Sequence, residues 1–211
     1  MSQPAVVLPA AVQVVLADAN VLYSRVLRDY LLYAAEQEIV NVNWSQQILD
    51  DTVEHLMANL AGFTSESARA LVDALKETFP DALVEPASED YQRLAGFALP
   101  DEDDRHVIAA ALAADARIVC SDNVKHFPPE LMSKLGLVVL TPDELFTQLI
   151  FSYMPQMVAA HRAAVAAFRQ ATDQSTIAAL RRARAVRTAD LMARVLGIDD
   201  GQVGTPGSSS T

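Results

Sequence analysis

The chain has a single cysteine, Cys120, among 211 residues, so an internal disulfide framework is excluded and a reducing compartment fits. No apolar run is long enough to span a bilayer. The opening stretch, residues 1–9, lacks the basic segment of a secretory leader. Together these predict a soluble cytoplasmic protein with no membrane partner. Basic residues are also scarce, 16 Lys and Arg against 27 Asp and Glu, for a formal charge of −11. A basic footprint for nucleic acid is therefore missing from the chain as a whole. The distribution is uneven: residues 1–150 hold 23 acids and 9 bases, residues 151–211 hold 4 acids and 7 arginines. An acidic body with an arginine-bearing tail is the pattern to explain.

What is abundant is apolar sequence, 51% of the chain, enough for a sizeable core. It falls into alternating patterns. Residues 12–17 are a β-branched run that ends in Asp18-Ala19-Asn20, followed by a helical pattern over 22–37. Further strands are predicted at 39–44, 82–84, 117–120 and 137–140. Helices are predicted at 45–60, with a stripe of Leu49, Val53, Leu56 and Leu60, and at 64–79, 88–99 and 105–114. A short one follows Pro128-Pro129, and another starts at Thr141-Pro142-Asp143-Glu144. Alternation of this kind predicts an α/β fold with a parallel sheet covered on both faces. From about Tyr153 the pattern is helical only, at 156–171, 175–187 and 189–196. The expected organisation is a body over 1–150, a helical extension over 151–200 and a disordered tail over 201–211.

Acids recur where strands end. Asp18 closes the first strand, and Asp122 or its neighbour Asn123 closes the strand at 118–120. Asp104 precedes Val107, Ile108, Ala111 and Leu112 at helical spacing, on the face that should press on the sheet. Each has a plain alternative: Asp18, Asp101 or Asp104 can simply cap a helix. If the strands are neighbours, however, Asp18, Asp104 and Asp122 meet at one rim. Carboxylates gathered without counter-charge raise one another's pKa, and Mg²⁺ or Mn²⁺ resolves the repulsion. Such ions activate water and stabilise charge on a phosphoryl group, as phosphodiester hydrolysis requires. Asp50, Asp51 and Glu54 are candidates for a further acid, with a solvated acidic face as the alternative. His106 and His126 flank the rim as polar or capping residues, and Cys120 reads as a core residue. Arg181, Arg182, Arg184 and Arg187 offer either phosphate contacts or a solvated helix face.

Four stretches resemble one family in order. Residues 15–22, VLADANVL, resemble the LDTNVL opening of PIN-domain proteins. Residues 44–51, WSQQILDD, are similar to their WS..ILDE segment. Residues 100–111, PDEDDRHVIAAA, are similar to PDPDDRHVLAAA, and residues 118–128, IVCSDNVKHFP, to IVTFNLKDFP. The helical tail resembles that of a subgroup that includes VapC-type toxins. The resemblance implies a three-layer α/β/α fold, Mg²⁺- or Mn²⁺-dependent endoribonuclease activity on RNA, an antitoxin partner and a possible homodimer. It implies Asp18 as first metal ligand, Asp51 in place of the family's glutamate, and Asp104 as the next acid. Ser121 falls at a hydroxyl position and Asn123 at an Asp or Asn position, with Asp122 beside it able to serve instead. The expected catalytic set is Asp18, Asp51, Asp104 and Asp122, with Asp18, Asp104 and Asp122 on the metal. Asn20, Glu54, Asp101, Ser121 and Asn123 are expected around substrate or ligands. Two rival functions fit the same residues: an inactive PIN fold that binds RNA or protein, and a receiver-like phosphate-transfer domain. Lys125 sits poorly for the latter.

Overall fold

The computed structural model describes residues 12–198. The stretch 201–211, expected to be disordered, lies outside the described residues. Five strands form one parallel sheet: β1 (Gln13–Ala17), β2 (Val40–Ser45), β3 (Leu83–Val84), β4 (Ile118–Cys120) and β5 (Val138–Leu140). Their order is β3-β2-β1-β4-β5, with β1 central, Gln13 opposite Val40 and Ala17 opposite Cys120. Val15, Leu16 and Ala17 are fully buried, as a strand covered on both faces requires. Helices flank the sheet in the expected three-layer α/β/α arrangement.

The order reverses direction at β1. The chain builds outward through β2 and β3, then returns to β4 on the other side. A crevice opens at the carboxyl ends of the strands flanking such a switch point, and ligands of open α/β sheets bind there.

The helices are α1 (Ala19–Tyr23), α2 (Arg25–Glu36), α3 (Gln46–Asn59), α4 (Ser65–Thr78), α5 (Ser88–Gln92), α6 (Arg105–Ala113), α7 (Pro129–Leu135) and α8 (Pro142–Ser152). Three more follow: α9 (Met154–Ala166), α10 (Asp173–Arg182) and α11 (Val186–Leu196). Caps match the sequence signals. The Ser45 hydroxyl accepts from Ile48 N, and Thr141 and Glu144 bond reciprocally around Pro142 at the start of α8.

Three elements differ from expectation. The helix expected over 22–37 is two: Ser24 is extended, and Arg28 donates to the carbonyl of Leu22 that a continuous helix would have used. The helix expected over 88–99 stops at Gln92, because Arg105 takes the Leu94 and Phe97 carbonyls and Gly96 turns the chain at φ +83°. The buried stripe of α3 is Ile48, Leu49, Thr52 and Leu56, whereas Leu60 is exposed. Thr52 tolerates burial by donating to the Ile48 carbonyl at 2.7 Å.

Helices α9–α11 pack back on the body. α9 lies on α2, α11 on α8, and Met157, Ile177, Leu180 and Met192 belong to the same hydrophobic cluster as the sheet. Thr188 anchors the start of α11, its N–H and hydroxyl both donating to Asp143 Oδ1.

Candidate active site

At the carboxyl end of β1, Asp18 caps α1 with its backbone extended, and Oδ1 accepts from Ala19 N at 2.7 Å. Its other oxygen accepts from Asn20 Nδ2 at 2.6 Å and from the Ser121 hydroxyl at 2.5 Å. Ser121 itself accepts from Asn20 Nδ2 and Asn123 N, each at 3.0 Å. Pairing of β1 with β4 sets this contact, since Asp18 N donates to the Cys120 carbonyl one residue before Ser121. Burial, which leaves Asp18 only 5% exposed, pushes its carboxyl above the usual range. The Ser121 and Ala19 bonds oppose that rise and the Asp104 charge adds to it.

A cleft of about 440 Å³ opens over this point. Asp18, Asp51, Asp101, Asp103 and Asp104 line it, together with Asn20, Asn123, His55, His106 and His126. No lysine or arginine is among its lining residues. The neighbouring Arg105 is turned away, holding Leu94, Phe97 and Glu102. Asp51 comes from the flank of α3, and its Oδ2 lies 3.2 Å from His106 Nε2. Burial raises the Asp51 carboxyl, against the pull of His106. Asp101 caps a 3-10 turn over Glu102–Asp104, with Oδ1 accepting from Asp103 N. Asp104 Oδ2 lies 2.6 Å from His126 Nδ1, which is 3.7 Å from Asp101 Oδ2.

The cleft thus brings together Asp18, Asn20, Asp51, Asp101, Asp104 and Asn123 of the expected set, with buried Ser121 behind them. Two expected residues lie elsewhere. Asp122 is exposed and outside the cleft lining; only its N–H engages the network, donating to Asn20 Oδ1 at 3.0 Å. The chain leaves β4 at Cys120 and bends at Asp122, so Ser121 stays buried and Asn123, not Asp122, reaches the cleft lining. Partial burial raises the Asp122 carboxyl, and the charge of Arg184 draws it down. Glu54 is also exposed and outside the lining, one helical step beyond Asp51. His106 and His126 are the residues that sequence reasoning set aside. Their place follows from the fold: His106 one residue into α6, His126 at the end of the 3-10 turn Val124–His126.

The donor set fits a hard divalent cation. Five carboxylates from three separate segments share one cleft with no lysine or arginine among the described lining residues, and oxygen-rich sites of this kind are where Mg²⁺ and Mn²⁺ bind. Asp101, Asp104 and His126 each present one ligand atom within 4.8 Å of the others.

A parallel α/β sheet with an acidic cleft at its switch point accords with a nuclease-type fold. The PIN domain family pattern matches residues 14–125, more than half of the chain, and the chain belongs to that family. No curated protein and no solved structure matches it. Among the described residues, no helix is long and apolar enough to cross a membrane.

Proposed function

We propose that the protein is a divalent-cation-dependent endoribonuclease and the toxin of a type II toxin–antitoxin pair of the VapC kind. The observation that carries the catalytic reading is the convergence of Asp18, Asp51 and Asp104 in one cleft without a lysine or arginine. Asp18 and Asp104 are the proposed cation ligands, with Asp51 reaching in from α3. Asn123 takes the fourth position instead of Asp122, which faces outward. When bound, Mg²⁺ or Mn²⁺ supplies Lewis acidity toward a phosphodiester and its attacking water.

The chain's own residues do the rest. Ser121 and Asn20 fix Asp18 in one orientation through bonds to Oδ2, a support that ligand carboxylates commonly need. His106 holds Asp51, which is one methylene shorter than the glutamate of the family motif, toward the cleft. Residues 151–200 are proposed as the extension of the toxin subgroup, and an antitoxin, a homodimer and a cytoplasmic location come with the toxin assignment.

The test is cleavage of a mixed RNA pool in Mn²⁺ buffer by the wild type and by Asp18→Asn. Cleavage that survives the substitution ends the nuclease reading. For the toxin assignment, expression should arrest growth, and the product of a neighbouring open reading frame should relieve the arrest.

A further inference from the structure

We infer that Asp101, Asp104 and His126 form a mixed carboxylate–imidazole cation position, and that its nitrogen ligand makes the cleft prefer Mn²⁺ to Mg²⁺. The inference rests on the nuclease reading above and adds which ion that site selects and through which residue. Within the described residues, these three side chains form a group whose ligand atoms all lie within 4.8 Å of one another.

The backbone prepares each of them. Asp101 spends Oδ1 on Asp103 N and so turns Oδ2 toward His126, at 3.7 Å. The turn that carries His126 is closed by its backbone N–H, which donates to the Asn123 carbonyl at 2.9 Å. That bond joins the His126 main chain to the loop that also places Asn123 and Ser121. His126 and Asp104 are each about four-fifths buried at the side chain, so the ring has little freedom to swing away. Two ligands of an octahedral ion, each about 2.1 Å from it, lie about 3 Å apart when adjacent and about 4 Å apart when opposite. The 3.7 Å separation lies between those two values, so Asp101 needs a shift of about half an ångström to take either position. The 2.6 Å contact between His126 and Asp104 needs only a few tenths of an ångström of opening.

Selectivity follows from ligand chemistry. Mg²⁺ is bound by carboxylates and retained water, and gains little from imidazole. First-row transition ions gain from a nitrogen donor, and affinity rises along the series from Mn²⁺. A purely positioning His126, holding Asp104 through Nδ1–H, would support both ions alike. The two roles therefore separate by a ratio.

The experiment titrates the full-length protein with MnCl₂ and with MgCl₂ by calorimetry, and records the spin-echo spectrum of bound Mn²⁺. The wild type should favour Mn²⁺ and show nitrogen coupling. His126→Asn should cut the Mn²⁺ to Mg²⁺ affinity ratio by about tenfold, the lower end of what losing one shell residue costs a metal site, and remove the coupling. Asp101→Asn changes a half-exposed carboxylate with little risk to folding, and should weaken both ions while leaving the nitrogen coupling in place. If His126→Asn weakens both ions equally or leaves the coupling intact, the inference fails. That outcome is separable from the nuclease test, which turns on Asp18→Asn and cleavage.

Discussion

The Tyr30 hydroxyl donates to His161 Nδ1, joining α2 to α9 through two side chains with no solvent exposure. On its far side, His161 Nε2 lies 3.3 Å from Asp173 Oδ1 in the first turn of α10. An ionised carboxylate only accepts, so Nε2 carries the proton and Nδ1 is left to accept from tyrosine. One imidazole therefore ties three helices, and Phe146 of α8 packs against the same tyrosine ring.

Removing that imidazole should be costly. His161→Ala leaves the buried Tyr30 hydroxyl without its acceptor and opens a cavity, together about 2–4 kcal/mol. Tyr30→Phe removes the hydroxyl and strands a ring nitrogen, at about 1–2 kcal/mol. Urea unfolding midpoints measure both; a His161→Ala midpoint equal to wild type would show that the contact contributes nothing.

The same residue should make stability fall on acidification. Burial lowers the His161 pKa below its usual 6.5, ahead of the opposing pull of Asp173. The unfolded chain thus takes up a proton first as pH drops, and mass action favours unfolding. Stability contributed by neutral His161 is present above about pH 6.5 and declines below it until the folded-state value is reached. Melting temperatures between pH 7.5 and 5.5 should decline more steeply for wild type than for His161→Phe. Equal slopes would assign the effect to the other three histidines.

Asp18 should trade stability for function. Its folded-state carboxyl titrates above the ordinary aspartate value of 3.8 because burial outweighs its hydrogen bonds. As pH rises through 3.8, the unfolded chain releases this proton first, so the group's contribution declines up to the folded-state pKa and the deficit persists at neutral pH. Asp18→Asn should melt no lower than wild type in chelator, yet cleave RNA at least about 100-fold more slowly. Added Mn²⁺ should raise the melting temperature of the wild type well above that of the variant.

Ser121→Ala tests the support behind the cleft. It deletes the donor to Asp18 and the acceptor for Asn20 and Asn123. Metal affinity should drop about 10–100-fold, the usual cost of losing such support, with the Asp18 pKa rising further. Ser121→Thr keeps the hydroxyl and should restore most of the affinity. Calorimetry reads both, and an unaffected alanine variant would remove Ser121 from the site.

Much of this was legible in the residues, because strand ends are local signals. Val12–Leu16 running into Asp18, and Ile118–Cys120 running into Ser121, announce their junctions by β-branching and a polar break. Their adjacency, Asp18 N on the Cys120 carbonyl, needs the tertiary order of strands. Asp122 misled because a bend just past β4 decides which side chain faces the cleft, and composition is blind to that turn. His106, His126 and His161 were hidden for a different reason: each acquires its role from a partner 12 to 131 positions away, and periodicity carries no trace of it. The early end of α5 was hidden likewise, since Arg105 removes its carbonyls from outside the segment.

An electronegative hollow has a consequence for the sequence of events. A polyanion meets repulsion at five aspartates until positive charge has been delivered there, so on the proposed reading nucleic acid follows the ion and does not precede it. On the proposed nuclease reading, ion supply is then an entry condition as well as a chemical requirement.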